Sequence, residues 1–448
     1  MERVIRLTPF EAYMWADDSA RHPMTALIEI EYSGRLQRSL FEAALSQTLL
    51  AHPLLRAVID DTCRPPRWIV QENASPFLHW DDEFASLEFP NGVEHIDLTA
   101  EVGLRVWVRA GEESGRVVLQ LHHACTDGVG VTNFVTDFLR AYAALGNGEA
   151  VPTLRDHGAL EWRDRFYKRP WLGRLKTLYG VATHARTWRR SRPIPLRDED
   201  SGKRRSKRPM DSISHRVLDT PELEGLVKAA HEADVTVNDL MLRDLLQVLA
   251  PRCEHRATGV DDCVCVCMPV NLRAPEDAPM PAANKMFMSF LRRTPAQCRD
   301  AEGLLRSVRE ETSYIKRTRR GLRMLEVFRL AMLLRGEVPQ ALLKKGSFAT
   351  AVLSNLGRLV GQDVGLPTDE DGRLLASGIT VERLITAPNG RPGTAAVFVI
   401  LTYAGRMIIS LRFDPESLSD DSAQELLDAF VERLRATAAV PLPEAVLV

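Results

Sequence analysis

Stretches of apolar alternation keep giving way to stretches at helical spacing along the whole 448-residue chain, and this limits the fold more than any other feature. Ala26 to Tyr32 (ALIEIEY) alternates with period two and reads as a strand. Leu40 to His52 then sets Leu40, Phe41, Ala44, Leu45, Leu49 and Leu50 at helical spacing. Leu55 to Ile59 reads as a strand after Pro53, and Arg116 to His123 (RVVLQLHH) as a strand ending in a turn. Helical spacing returns from Val131 to Leu145 and stops at Gly146-Asn147-Gly148. Near the start, Thr8, Pro9 and Glu11 supply the cap, first-turn proline and first-turn acid of a helix over Thr8 to Ala20.

The second half repeats the mixture. Strands are expected at Ser212–Leu218, Cys263–Val270, Met286–Arg292, Phe348–Leu353, Ala395–Ile400 and Ile408–Phe413. Helices are expected at Pro221–Ala233, Thr236–Leu249, Glu302–Arg335 and Ser419–Ala436, the second capped by Thr236 or Asn238. The fold class is therefore α/β (α+β), in two related lobes of roughly 200 residues each, without tandem repeats.

Composition narrows the function classes. Lys and Arg total 58 against 60 Asp and Glu, a net charge of −2 that gives no field for nucleic acid. Apolar residues at 45% and charged residues at 26% are those of a globular chain long enough to bury a core without disulfides or metal. The 7 cysteines, unevenly placed, form no secreted disulfide framework. The first residues hold no signal-peptide core, and the longest apolar run, Ala395 to Tyr403, is shorter than the ~20 residues of a membrane span. The expectation is a cytoplasmic protein with no transmembrane segment, peripheral membrane contact remaining open.

His184 to Arg208 changes character, with ten Lys or Arg against three acids and prolines at 193 and 195. It reads as a basic connector, 184–208, between an N-terminal lobe, 1–183, and a C-terminal lobe, 209–448. An alternative role is a patch for an anionic partner such as a carrier protein, a nucleotide phosphate or a membrane surface.

The run Leu121-His122-His123-Ala124-Cys125-Thr126-Asp127-Gly128-Val129-Gly130 carries the chemistry. Adjacent histidines at a strand end point to opposite faces, so one imidazole can meet a cavity while the other is anchored. His123 shares its face with Leu119 and Leu121, and His122 shares the other with Val118 and Gln120. Asp127 can cap the following helix or pair with an arginine, and Gly128 leaves room for close approach. A histidine held this way suits general-base work near neutral pH. From the residues alone, a structural pair and a catalytic base both stand.

The pattern His-His-x-x-x-Asp-Gly resembles the active-site signature of the superfamily of chloramphenicol acetyltransferase, nonribosomal-peptide condensation domains and wax ester synthase/diacylglycerol acyltransferases. Further matches run in family order. Leu7-Thr8-Pro9 with Glu11-Ala12 and Arg21-His22-Pro23-Met24 resemble the opening of the wax ester synthase group. Leu54-Leu55-Arg56 after His52 resembles a passage shared with condensation domains. Val237-Asn238-Asp239, Met268-Pro269-Val270-Asn271-Leu272-Arg273 and Ser354-Asn355-Leu356-Gly357 resemble later elements of the wax ester synthases. Gly103-Leu104-Arg105-Val106-Trp107 stands where that group has Pro-Leu-Trp, and Ser-Asn-Leu-Gly-Arg lacks its Pro-Gly. Both departures argue against long-chain wax ester or triacylglycerol synthesis.

The resemblance implies two chloramphenicol acetyltransferase-like lobes, each a mixed sheet with flanking helices, and an active-site tunnel between them. It implies acyl transfer from a thioester to an alcohol or amine, without a covalent intermediate. His123 is then the general base, with His122, Asp127 and Gly128 completing the catalytic set and Arg273 the candidate partner of Asp127. Ser354, Asn355, Asn238 and Arg273 are the candidate substrate-binding residues. No resident cofactor or metal is expected; the co-substrate is acyl-CoA or a phosphopantetheinyl thioester, and an acyl or peptidyl carrier protein is a candidate partner. A free-standing amide-forming condensation enzyme and a catalytically silent docking protein are the alternatives.

Cys263, Cys265 and Cys267 share one strand face, and because zinc sites favour Cys-x-x-Cys on turns they read as apolar packing. Cys125 sits at a variable position of the motif and is not read as a nucleophile. Met286-Phe287-Met288 reads as core, with an acyl-pocket lining as the alternative. No Gly-x-Ser-x-Gly elbow is present.

Overall fold

The computed structural model describes residues 3–72, 75–152, 155–164, 192–199, 212–319, 322–338, 349–358 and 365–439. Two mixed sheets dominate. The first has six strands, in the spatial order Leu375–Ala376, Ile379–Ala387, Thr25–Gly34, Ser114–His122, Leu104–Ala110 and Phe77–Asp82. Its neighbours are antiparallel except the last two strands, which run parallel. Helices Arg38–Ala51 and Gly128–Gly146 pack on each other beside it, burying Phe41, Phe134 and Phe138. The second sheet has the order Met286–Arg293, Asp262–Asn271, Ala351–Arg358, Ala396–Tyr403, Arg406–Phe413 and Ile213–Leu218, with Arg192–Pro193 pairing alongside Asp262 and Cys263. Helices Thr220–Glu232, Val237–Glu254, Ala301–Thr318 and Asp420–Ala439 complete the second lobe. Among the described residues, no helix is long and apolar enough to cross a membrane.

The opening helix forms as its caps dictate. It spans Pro9–Ala16, with the Thr8 side chain accepting from the Glu11 amide and Glu11 accepting from the Thr8 amide. Glu11 is wholly buried and accepts from Arg163 Nε and Nη2, along one guanidinium edge, at 2.6 and 2.9 Å. Thr236, and not Asn238, caps Val237–Glu254.

Three segments depart from expectation. Leu55 and Arg56 lie in a 3-10 turn, Pro53–Arg56, and the strand starts only at Ala57, because Pro53 opens a turn closed by Leu55 N–H on the His52 carbonyl. The run Glu302–Arg335 is two helices, Ala301–Thr318 and Leu322–Arg335, broken where Arg319 adopts φ 50. The strand expected at Phe348–Leu353 is displaced to Ala351–Arg358, so Ser354 to Gly357 belong to a strand; Phe348 is outside the described residues.

The sheets also divide the chain differently from its sequence. Of the connector 184–208, only 192–199 lies within the described residues. Ile379–Ala387, deep in the expected C-terminal lobe, pairs with Thr25–Gly34 of the first sheet. That pairing covers an edge that would otherwise present unpaired amides and carbonyls. The chain then returns to the second sheet at Ala396, so 388–395 crosses between the lobes.

Candidate active site

Strand Ser114–His122 pairs with Thr25–Gly34 up to the couple Thr25–His122 and then turns. The His123 amide donates to the Met24 carbonyl at 2.7 Å, which holds the next residue at the sheet's end. His122 is wholly buried. Its Nδ1 accepts the Ala124 amide at 3.0 Å, and its Nε2 lies 3.3 Å from Asp18 Oδ2. Asp18 also holds His95 Nε2 at 2.6 Å and accepts the Met24 amide at 2.7 Å. His122 therefore braces the turn, and it is His123, not His122, that lines the cavity.

His123 is the histidine on the cavity wall. Its Nδ1 is fully buried and out of a substrate's reach, which leaves Nε2 as the ring nitrogen available to a substrate. Burial holds its pKa below the usual histidine value, opposed by its own backbone carbonyl and by Asp127. A base so placed stays neutral through the physiological range.

Asp127 is the N-cap of Gly128–Gly146 and accepts the Gly130 amide on Oδ1 at 2.9 Å. Its other oxygen receives Arg273 Nη1 at 2.7 Å and the Lys285 amide at 2.8 Å. Both members of the pair are buried, so the aspartate is engaged as a structural anion. Arg273 also donates to the Ala283 carbonyl at 2.9 Å. Asn284, 3% exposed, donates to the carbonyls of both His123 and Ala124 at 2.8 Å. The base-bearing turn is thus gripped by residues from the 272–285 loop of the other half of the chain.

Two glycines lie where these pieces meet, and the second leaves no room for a side chain. A Cβ on Gly128 would run into the Leu356 side chain from the second lobe. A Cβ on Gly130 would lie 2.9 Å from the Ala283 nitrogen and 3.1 Å from its oxygen, backbone atoms that cannot yield freely. Gly130→Ala is expected to destabilise the protein by about 1–3 kcal/mol, read as a lower denaturant midpoint at unchanged slope. An unaltered midpoint would show that the close approach carries no weight.

The cavity measures about 350 Å³ and lies between the lobes. One wall carries His123, Asp127 and Gly128, and the strand Ala351–Arg358 contributes Ser354, Asn355 and Leu356. Leu27, Val131, Met286, Val397 and Val399 make the rest largely apolar, and the crossing segment adds Pro388 and Asn389. Two sequence candidates are off this wall. Arg273 is the partner of Asp127, and Asn238 donates to Met268 Sδ at 3.3 Å in the first turn of its helix. Met286 lines the cavity, Phe287 is 1% exposed in the core, and Met288 packs on the cysteine face.

Cys263, Cys265 and Cys267 form a buried cluster with Ala349, burial pushing the Cys267 thiol up to about 12. Among the described residues no group of His, Cys, Asp and Glu could hold a metal. Cys125 is fully buried and its pKa is raised, so it stays a thiol.

His52 and His123 are both held below the ordinary histidine pKa, by burial first. The unfolded chain therefore takes up more protons once pH falls past about 6.5. Their contribution to stability is complete above that value and is lost as pH drops through the folded-state values. Urea unfolding should show a lower stability near pH 5 than near pH 7.5; equal stability at the two would contradict the burial of neutral imidazoles.

Two mixed sheets facing each other across a histidine-walled cavity define the chloramphenicol acetyltransferase-like class. The Condensation domain family matches residues 17–260, more than half the chain, and the chain belongs to that family. Among solved structures it is similar to the first condensation domain of the calcium-dependent antibiotic synthetase in complex with a substrate analogue, at 17% identity over 98% of each chain with TM-score 0.70. It is similar to TRI3 trichothecene 15-O-acetyltransferase from Fusarium sporotrichioides at 13% identity, covering 97% of this chain and 96% of that one with TM-score 0.69. The starter condensation domain of rhizomide synthetase RzmA, a mutant in complex with C8-CoA and Leu-SNAC, matches at 16% identity over 98% and 95% with TM-score 0.65. At these identities the likeness establishes the fold. No curated protein sequence matches the chain. Family and fold are those of enzymes that transfer acyl groups or condense them into amides.

Proposed function

We propose that the chain is an acyltransferase that moves an acyl group from a CoA or carrier-protein thioester to an alcohol or amine, with His123 as general base. The observation that carries this reading is the placement of His123: a neutral imidazole on the wall of an apolar inter-lobe cavity, its backbone clamped on both sides. Nε2 takes the proton of the acceptor O–H or N–H as the heteroatom attacks the thioester carbonyl. The carbon–sulfur bond then breaks, and the departing thiolate takes the proton back from the imidazolium. No bond to the protein forms at any stage.

Asp127, committed to Arg273 and two backbone amides, keeps the turn in place. The Ser354 hydroxyl and the Asn355 side-chain amide, on the strand across the cavity, are the donors we assign to the developing oxyanion or to the donor's arm. The apolar walls exclude water, so that transfer competes with hydrolysis. Condensation domains work on carrier-bound or CoA-bound substrates, and the C8-CoA seated in the RzmA domain supports a thioester donor here. The ten basic residues of 184–208 suit CoA phosphates or an acidic carrier.

The test is product mass. The protein is incubated with acyl-CoAs of increasing length, or with acyl-loaded carrier proteins, together with pooled alcohols and amines. An acceptor heavier by the acyl group with CoA donors establishes free-standing transfer; product only with loaded carriers assigns the condensation reading. No product with either would remove the enzymatic reading in favour of a docking protein.

A further inference from the structure

The sequence element Ala51-His52-Pro53-Leu54-Leu55-Arg56 has no part in the chemistry above, yet His52 is wholly buried and bonded at both ring nitrogens. Its Nδ1 accepts the Ala282 amide at 2.8 Å, and its Nε2 lies 3.0 Å from Asp137 Oδ2. The bond at Nδ1 requires the lone pair there, so the ring is neutral with its proton on Nε2. Asp137 belongs to helix Gly128–Gly146, which starts at the catalytic turn, and Ala282 belongs to the loop that grips that turn.

The two partners of His52 are thus the two pieces whose relative position places His123. Loop 272–285 reaches the base through Asn284 on the His123 and Ala124 carbonyls, and through Arg273, Ala283 and the Lys285 amide on Asp127. Lower down, the same loop is tied to the helix by Asn133 on the Met280 carbonyl, and to Arg155 by the Ala278 carbonyl. We infer that His52 is a positioning residue for His123: as the neutral Nε2–H tautomer it locks loop 272–285 onto the helix behind the base, and its protonation opens the lock.

An imidazolium at this place would set a ring N–H against the Ala282 N–H, donor against donor. Asp137 favours the charged ring; Arg155, which grips Asp137 through Nε and Nη2, opposes it together with His157. The loop's own charges, Asp277 and Lys285, neutralise each other at 2.7 Å. Burial is the largest influence and keeps the ring neutral until the medium is acidic.

The kinetic arm of the test rests on His123 being the base; the lock itself can be read without any activity. Hydrogen–deuterium exchange of the full chain is followed by mass spectrometry for wild type, His52→Asn and His52→Phe, corrected for intrinsic rates, between about pH 7.5 and about pH 4.5. Asparagine offers a non-titrating acceptor to Ala282, and phenylalanine offers none. At the upper pH, His52→Phe should exchange about tenfold faster than wild type in both 272–285 and 122–128, while His52→Asn stays close to wild type. On acidification, the wild type should lose protection in both segments and His52→Asn should not. In kinetics, His52→Phe should lower kcat about tenfold or more with KM little changed. The acid limb of log kcat should approach a slope of about two in wild type and about one in His52→Asn. Unchanged exchange at 122–128 in His52→Phe, or an acid response retained in His52→Asn, overturns the inference. Should His52→Phe fail to fold, the comparison of His52→Asn with wild type decides alone. Altered exchange without any acyl transfer would uphold the lock and remove the proposed reaction.

Discussion

Exchanging His123 for alanine is expected to lower kcat by roughly 10²- to 10⁴-fold while leaving the protein folded. Without the imidazole, an acceptor hydroxyl must lose its proton to water, which the apolar cavity largely excludes. The fold should survive because the backbone ties of residue 123, its N–H on the Met24 carbonyl and the Asn284 amide on its own carbonyl, remain without the ring. Circular dichroism and a denaturant titration beside the rate measurement separate the two effects. A variant that retains wild-type rates would remove His123 from the base's role.

Asp127→Ala should have the largest effect on stability, a loss of about 3–5 kcal/mol. The substitution leaves the buried Arg273 guanidinium without its anion and strips the Gly130 and Lys285 amides of their acceptor. Set against the 5–15 kcal/mol that holds a typical domain together, this is a large share. Adding Arg273→Met to Asp127→Ala should recover part of it, because the stranded charge goes with the arginine. Urea unfolding of the two single variants and the double variant measures the coupling. A cost below about 1 kcal/mol for Asp127→Ala would mean that the pair does not tie the lobes.

The turn at 121–130 was readable because everything that shapes it is local. A strand ends, two histidines take opposite faces, and an aspartate caps the next helix one residue before a glycine. The Asp127–Arg273 pair spans 146 positions, and only the likeness of Met268 to Arg273 to a known strand pointed to it. Asn284 and Asp18 escaped notice, and His52 was seen only as part of a shared passage, for the opposite reason. Each acts through bonds to residues far away in the sequence, and a lone polar residue leaves no periodic trace. Strand Leu104–Ala110 was missed because it is buried on both faces, Arg105 and Arg109 included, and so shows no alternation between core and solvent. Ile379–Ala387 lay in the half of the chain assigned to the other lobe, and no local pattern reports which sheet edge a strand will join.

The role of His122 shows the same limit. Its adjacency to His123 drew it into the catalytic set, whereas its surroundings, Asp18 on one nitrogen and the Ala124 amide on the other, make it a brace. Ser354 and Asn355 line the cavity, on a strand that begins later than the apolar pattern indicated.

The most direct test of the account is free-thiol release from an acyl thioester, measured with and without acceptor, for wild type beside His123→Ala. Acceptor-dependent release that collapses in the variant, with no acyl mass retained on the protein, is the predicted result. Release that persists in His123→Ala, or an acylated protein that accumulates when acceptor is withheld, would contradict direct transfer driven by this histidine.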